Sequence, residues 1–318
     1  VTSRESALID ALRMIATHPA ARGLADDAAV LPVEAGGLVL THDMLVEGVH
    51  FLPDDPADSV AWKLVAVNMS DLAAKGAMPL GVLTGHGLGR DRDWDSLFVE
   101  GLADALRIFN VPLLGGDTVA MPAGAPVTLG LTAIGRAPEC GAPSRSGAKA
   151  GDDLWVSGPL GDAGAGLAIR QGRMDGGLAS LVTAYQRPQP NLPLGQALAS
   201  LVSAMADVSD GLLIDARRIA EASGCGVAVQ MDAVPLSDAL MMVRPDSWET
   251  RIEATTAGDD YVLLFTAAPD RRQAIEAASS RHGGNARRIG CCTADRGFAL
   301  SWRGGAVPLP ARLGFEHG

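Results

Sequence analysis

The sequence predicts an α/β (α+β) chain built as two domains. Three observations carry that expectation. Short apolar runs suited to buried strands alternate with longer segments whose apolar residues recur at helical spacing, the pattern of layered sheets and helices. The chain has 318 residues, enough for two proper cores. Between Ala137 and Ala150 it turns rich in Pro, Gly, Ser and Ala, a composition that suits a linker, so the expected domains are 1–137 and 150–318.

In chain order, Thr2 or Ser3 can cap a first helix that puts Leu8, Leu12 and Ile15 on one face. Residues 23–30 read as a loop into a short strand. After Gly36-Gly37 comes the apolar run Leu38, Val39 and Leu40, a buried strand expected to end in Thr41, His42 and Asp43. Glu47, Gly48, His50 and Phe51 follow, just past the strand, where a rigid scaffold presents chemistry. Asp55-Pro56 starts a helix, with Pro at its first helical position. That helix carries Val60, Leu64, Val67, Leu72 and Ala73 and, amid them, Asn68, Ser70 and Asp71. Polar side chains inside an apolar helix must be hydrogen-bonded or bind something.

A strand is expected at 80–83 and a helix at 93–108, with Leu97, Leu102, Ala105 and Leu106 at helical spacing. A strand at 111–114 leads into Gly115-Gly116-Asp117-Thr118, read either as a tight turn or as two glycines whose backbone N–H groups approach an anion beside a metal-type carboxylate, and another strand covers 127–134. The second half opens with a strand at 154–157. The glycine-rich stretch from Gly158 to Gly166 then enters a helix. It matches neither the dinucleotide nor the P-loop pattern, and two readings stay open: a phosphate cradle, or small residues that let a helix pack closely on a strand. Asp207-Val208-Ser209-Asp210-Gly211 precedes a helix over 212–222 that Gly224 can stop. Strands are expected at 227–231, 261–266, 286–289 and 298–302, and a helix at 270–280.

Composition narrows the function. Lys and Arg number 26 against 37 Asp and Glu, a formal charge of −11, and a nucleic-acid partner would call for a basic stripe. Cys140, Cys225, Cys291 and Cys292 show no zinc-site spacing and read as reduced thiols of a cytoplasmic protein. No signal-peptide pattern is visible and no apolar run reaches the length of a membrane span, so no membrane partner is expected.

Carboxylates are the main signal. Asp26-Asp27, Asp43, Asp71, Asp117, Asp207, Asp210 and Asp259-Asp260 recur at expected strand ends and helix starts, most of them beside Gly or in apolar surroundings. Isolated carboxylates of this kind suit hard cations, which take oxygen donors. Divalent cations held by Asp neutralise charge in phosphoryl transfer. Each Asp alone can also be a turn former or a cap, as Asp207 and Ser209 can be for the helix beginning near Gly211. His50, between Val49 and Phe51, reads as a structural histidine or a substrate contact. Arg145, in Ser144-Arg145-Ser146-Gly147-Ala148-Lys149, reads as a solvated loop cation or a phosphate clamp.

The motifs ADDAAV, LTHDMLVEGVHF, NMSDLAAKGAMP, LLGGDT, SRSGAKAGD, DVSDGL and GDDYVLLF occur in that order. Together they resemble the thiamine-monophosphate kinase family of the aminoimidazole ribonucleotide synthetase-like superfamily, over nearly the whole chain from about residue 24. The resemblance implies ATP-dependent phosphorylation of thiamine monophosphate to thiamine diphosphate by direct in-line transfer, with several Mg²⁺ ions and no covalent phosphoenzyme. It implies a two-domain aminoimidazole ribonucleotide synthetase-like fold. The N-terminal domain would bind metal and nucleotide and form a barrel with its mate in a homodimer; the C-terminal α/β sandwich would complete the substrate site.

Carried over by motif, Asp27, Thr41, His42, Asp43, Asp71, Asp117, Asp207 and Asp210 are the implied Mg²⁺ contacts, with Asp43, Asp117 and Asp210 placing metal on the ATP phosphates. Gly116, Asp117, Arg145 and Ser209 are the implied ATP contacts; His50, Asp259 and Phe315 the implied contacts to the thiamine phosphate. The chain departs from the family at Ala25, His42, Met44, Lys75 and Val262, where Gly, a small hydroxyl residue, Thr, Met and Glu are usual. No carboxylate of the set is lost. Two alternatives share much of this logic: another ATP-using enzyme of the superfamily, and a non-catalytic nucleotide or metal sensor on the same fold.

Overall fold

The computed structural model describes residues 25–26, 29–33, 36–88, 92–175 and 178–316. The expected first helix, with Leu8, Leu12 and Ile15, and the expected metal contact Asp27 lie outside the described residues.

The first half supplies β1 (Ala29–Val33), β2 (Gly36–Val46), α1 (Ala57–Ala74), β3 (Met78–Leu88), α2 (Arg92–Ile108), β4 (Leu113–Ala120) and β5 (Thr128–Arg136). Its strands form one sheet in the order β1-β2-β5-β3-β4, antiparallel except for the β3–β4 pair. The second half supplies β6 (Asp153–Val156), α3 (Asp162–Arg170), α4 (Ala179–Gln186), α5 (Leu192–Leu198), β7 (Ala204–Asp207), α6 (Leu212–Ser223) and β8 (Gly226–Gln230). It continues with α7 (Asp238–Val243), α8 (Trp248–Thr256), β9 (Leu263–Ala267), α9 (Arg272–Arg281), β10 (Arg287–Thr293), β11 (Phe298–Trp302) and β12 (Gly305–Val307). These strands form a second sheet in the order β12-β11-β8-β10-β6-β9-β7.

Two strands differ from expectation in a way that matters for the site. Thr41, His42 and Asp43 do not end β2; the strand runs on to Val46, paired with β5 through Val46↔Thr128. The reason is alternation. Thr41 and Leu45 are buried while His42 and Met44 are exposed, the pattern of an antiparallel strand with one covered face. Gly115-Gly116-Asp117-Thr118 is likewise the body of β4, in parallel register with β3 at Gly116↔Thr84 and Asp117↔Gly85, and not a turn. A Cβ at Gly116 would lie 2.2 Å from the Thr84 carbonyl oxygen, so this glycine permits close backbone approach within the sheet. Pro56, expected as the first helical residue, stands instead at the N-cap of α1, which begins at Ala57.

Helix α1 is the spine of the molecule. Almost every residue in it is buried, including Lys63, Asn68 and Ser70. A helix apolar all round belongs inside, and α1 packs on β2 and β5 on one side and on β7 and β9 on the other. One core therefore joins Leu129 and Leu131 of β5 to Met205 of β7 and Phe265 of β9. The alternation of β9 sends Leu263 and Phe265 to that core and Leu264 to a second one beneath α6, with Leu212, Ile219, Val229 and Ile289. Among the described residues no helix is long and apolar enough to cross a membrane.

Candidate active site

A cavity of about 290 Å³ lies where the two sheets meet around α1. Among the described residues it takes five carboxylates: Asp43 from β2, Asp71 from α1, Asp207 from the end of β7, Asp210 from the turn before α6 and Asp259 from the turn before β9. His50, Ser209, Tyr261 and Phe315 complete the part of the lining that matters here.

Neighbours aim these oxygens. The Thr41 hydroxyl donates to Asp71 Oδ2. Ser70 Oγ donates to Asp207 Oδ2 at 2.6 Å, from α1 to β7. Arg218 Nη1 donates to Asp210 Oδ2 at 2.5 Å and to Asp215 Oδ1 at 2.8 Å. Burial works against the Arg218 charge, but Asp215 and Asp210 outweigh it and raise its pKa above the ordinary guanidinium value. His50 Nδ1 accepts the Val46 backbone N–H at 3.0 Å, which leaves Nε2 to carry the ring proton of the neutral imidazole.

The turn holding Asp259 is held away from ordinary geometry. Asp259 and Tyr261 have φ of 63° and 50°, the left-handed region that costs a residue with a Cβ. Backbone bonds fix them there: Asp259 N–H donates to the Ser209 carbonyl and Tyr261 N–H to the Val208 carbonyl, each at 2.8 Å. Tyr261 Oη donates to Asp259 Oδ1 at 3.0 Å, and Lys63 Nζ to Asp259 Oδ2 at 2.7 Å. The C-terminal segment is pinned in a similar way. Ile214 N–H donates to the Leu313 carbonyl at 3.1 Å and Phe315 N–H to the Asp210 carbonyl at 2.8 Å. A Cβ at Gly314 would come within 2.5 Å of the Asp210 oxygen, so the segment needs glycine there to seat Phe315 at the cavity.

The structure does not bring all the expected residues together. His42, Gly116 and Asp117 line a separate open depression of about 320 Å³ with Thr84 and Thr132. His42 Nδ1 lies 2.9 Å from Thr132 Oγ1, on the face of the sheet opposite Asp43. Thr41, His42 and Asp43 therefore do not form one cluster, as a run of three at a strand end would. Arg145 stands near Arg218, close enough for their charges to oppose, and its carbonyl accepts Ser223 Oγ at 3.2 Å. Lys75, a departure from the family pattern, is a buried ion-pair partner of Asp26 and also reaches the Met205 carbonyl at 3.4 Å.

The glycine-rich entry to α3 resolves in favour of packing. A Cβ at Gly166 would fall 2.0 Å from the Leu181 carbonyl oxygen, and the Gly161 N–H that a phosphate cradle would use donates instead to Asp260 Oδ1 at 2.8 Å. Burial pushes the Asp260 carboxyl well above the usual carboxylate range; the Gly161 N–H works against that shift and nearby Asp162 adds to it. Sequence reasoning missed Lys63 and Arg218. Lys63 carried a readable signal, a lone ammonium in the apolar run Val60-Ala61-Trp62-Lys63-Leu64-Val65. Arg218 had none, since Arg217-Arg218 on an amphipathic helix reads as solvated charge.

Among the described residues no three His, Cys, Asp or Glu side chains converge as an all-protein metal cage would require. The donors facing the cavity are nevertheless hard oxygens. That fits Mg²⁺, which keeps several waters and takes one or two carboxylates together with substrate phosphates.

Known proteins match both halves of the chain. The family of AIR synthase related proteins matches in two parts, its N-terminal domain over residues 25–137 and its C-terminal domain over 149–303. The thiamine-monophosphate kinase of Caulobacter vibrioides is 40% identical over 306 residues, covering 94% of this chain and 86% of that protein. The crystal structure of thiamine-monophosphate kinase from Stenotrophomonas maltophilia superposes with a TM-score of 0.78 at 36% identity, over 94% of this chain and 95% of that one. AaThiL complexed with AMPPCP and TMP superposes with a TM-score of 0.83 at 26% identity, over 96% and 95%. On a matching fold, two matching domain models and this level of identity, the chain belongs to the thiamine-monophosphate kinase family of AIR synthase related proteins.

Proposed function

We propose that the chain transfers the γ-phosphoryl group of ATP directly to the phosphate of thiamine monophosphate, giving ADP and thiamine diphosphate, as a cytoplasmic, Mg²⁺-dependent homodimer. The observation that carries this reading is the gathering of carboxylates from both sheets on one cavity, with an aromatic ring at its edge. The relative AaThiL, whose complex holds AMPPCP, an ATP analogue, together with TMP, supports the pairing of substrates.

Asp27, Thr41, His42, Asp43, Asp71, Asp117, Asp207 and Asp210 are the proposed metal contacts. Thr41 would act there through its side chain or its backbone, since its hydroxyl gives only its proton to Asp71 and keeps the oxygen lone pairs. When bound, Mg²⁺ neutralises charge on the transferred group and the leaving ADP. Asp43 and Asp210, both on the cavity, carry the catalytic role, with Asp117 proposed to join them from the separate depression it lines. The acceptor phosphate is already an anion, so no general base is required of the protein. Gly116, Asp117, Arg145 and Ser209 hold the nucleotide. On the acceptor side, the His50 Nε2–H donates to anionic oxygen, Asp259 orients the substrate, and Phe315, 47% exposed, stacks on its heteroaromatic rings.

Residues 1–137 serve metal, nucleotide and dimer formation, and residues 150–318 complete the acceptor site. The face of β3 and β4 that shows Leu83, Leu113 and Val119 to solvent is the surface a second protomer would cover. The test is direct. Purified protein is mixed with ATP, Mg²⁺ and thiamine monophosphate, and thiamine diphosphate is followed as its fluorescent thiochrome derivative, with an EDTA control. Metal-dependent diphosphate formation is expected. ATP binding without diphosphate formation would overturn the reading.

A further inference from the structure

We propose that Lys63 is a positioning residue of the acceptor site: the buried ammonium on α1 that sets the distance between the loop carrying His50 and the turn carrying Asp259. The inference rests on the functional reading above, in which those two residues contact the acceptor.

An ammonium in a protein interior is costly unless its donors are met. Lys63 is 2% exposed and does not line the cavity; it lies behind the wall. Its Nζ donates to Asp259 Oδ2 at 2.7 Å and to the His50 carbonyl at 3.1 Å, and sits 4.3 Å from the centre of the Tyr185 ring. Tyr185 Oη in turn donates to Asp55 Oδ2 at 2.8 Å, and the same oxygen accepts the Leu52 N–H at 2.8 Å. The loop from His50 to Asp55 is thus fastened at both ends to one assembly, with Lys63 at its centre. The partners come from both halves of the chain, and α1 is the element that both sheets pack against.

Two consequences follow for the acceptor. The His50 carbonyl held by Lys63 and the His50 Nδ1 held by Val46 fix the ring between them, so the Nε2–H points in one direction. Asp259, in left-handed backbone and bonded through one oxygen to Lys63 and through the other to Tyr261, presents a paired carboxylate and not a bare charge. A cationic ring of the acceptor is then recognised by oriented lone pairs more than by net charge. Lys63 touches none of the reacting atoms; its effect runs through its two partners.

The experiment compares the wild-type chain with K63M, D259N and K63M/D259N, with KM for thiamine monophosphate and KM for ATP measured separately. K63M is expected to raise the acceptor KM about ten-fold or more while the ATP KM stays within about two-fold. In the D259N background, K63M is expected to add less than about two-fold, because the two residues act as a unit. Should K63M alone fail to fold, the double variant, which removes both charges together, carries the test: its acceptor KM should match that of D259N. Equal increases in both KM values, effects of the two substitutions that multiply, or an unchanged acceptor KM would each overturn the assignment. A wild-type chain that makes no thiamine diphosphate would overturn the functional reading and this inference with it. An active wild type with an indifferent K63M overturns the inference alone.

Discussion

Asp43 faces the cavity from the middle of β2, while its neighbour His42 faces the separate depression on the opposite side of the sheet. Asp43→Asn keeps the shape and removes the charge. It should lower kcat by about 10²-fold or more, in line with the loss of one preorganised electrostatic contact, while circular dichroism and the unfolding midpoint stay near wild type. Asp260 makes the opposite kind of prediction. Its folded-state pKa is raised by burial and by Asp162, so the native state holds this proton to higher pH than the unfolded chain does. The stability it contributes is complete below the pKa of an unfolded Asp, about 3.9, and is lost as pH rises through the folded value. Asp260→Asn removes that loss. Its unfolding temperature relative to wild type should climb between pH 4 and pH 8, and a pH-independent difference in melts would refute the assignment.

Among the elements, α1 joins the two sheets through polar groups as well as apolar ones. Ser70→Ala deletes the donor to Asp207, which is 2% exposed, and leaves a buried carboxylate short of a partner. Denaturant titration should show a loss of about 1–3 kcal/mol, larger than for Ala at an exposed position of α2. How far these elements could be read in advance depends on how local their causes are. β11 was legible residue for residue, Phe298–Trp302, because a short apolar run of aromatic and aliphatic residues says strand without help. β10 was expected to stop at residue 289 but continues to Thr293. Its register shifts between Arg288 and Gly290, and a Cβ at Gly290 would strike the Ala228 carbonyl oxygen at 2.0 Å. That glycine is a close-approach residue inside the strand. β7, Ala-Met-Ala-Asp, has no β-branched residue and is a strand only because β9 pairs with it. In the site, the carboxylates were visible as residue types. The side of the sheet each one serves, and the buried Lys63 and half-buried Arg218 that aim two of them, depend on strand alternation and on contacts across nearly 200 residues of chain (Lys63 to Asp259).

For the molecule as a whole, every residue of β4 is exposed, in a strand whose sequence includes Leu113, Leu114 and Val119. A sheet face of that character invites association. Val119→Glu should leave the fold intact and move the protein from dimer to monomer in light scattering; a wild-type chain that scatters as a monomer would remove the dimer from the proposal. The position of α1 has a further consequence, for anyone who wishes to divide the chain. Cutting at the linker near residue 140 would not free two self-sufficient pieces, because Met205, Phe265 and Trp155 share one core with Leu129 and Leu131. The C-terminal fragment made alone would show that apolar surface to water and aggregate. Co-expressed with the N-terminal fragment it would find the missing helix, so the two halves should be recovered as a complex from the same cell and not by mixing after separate purification.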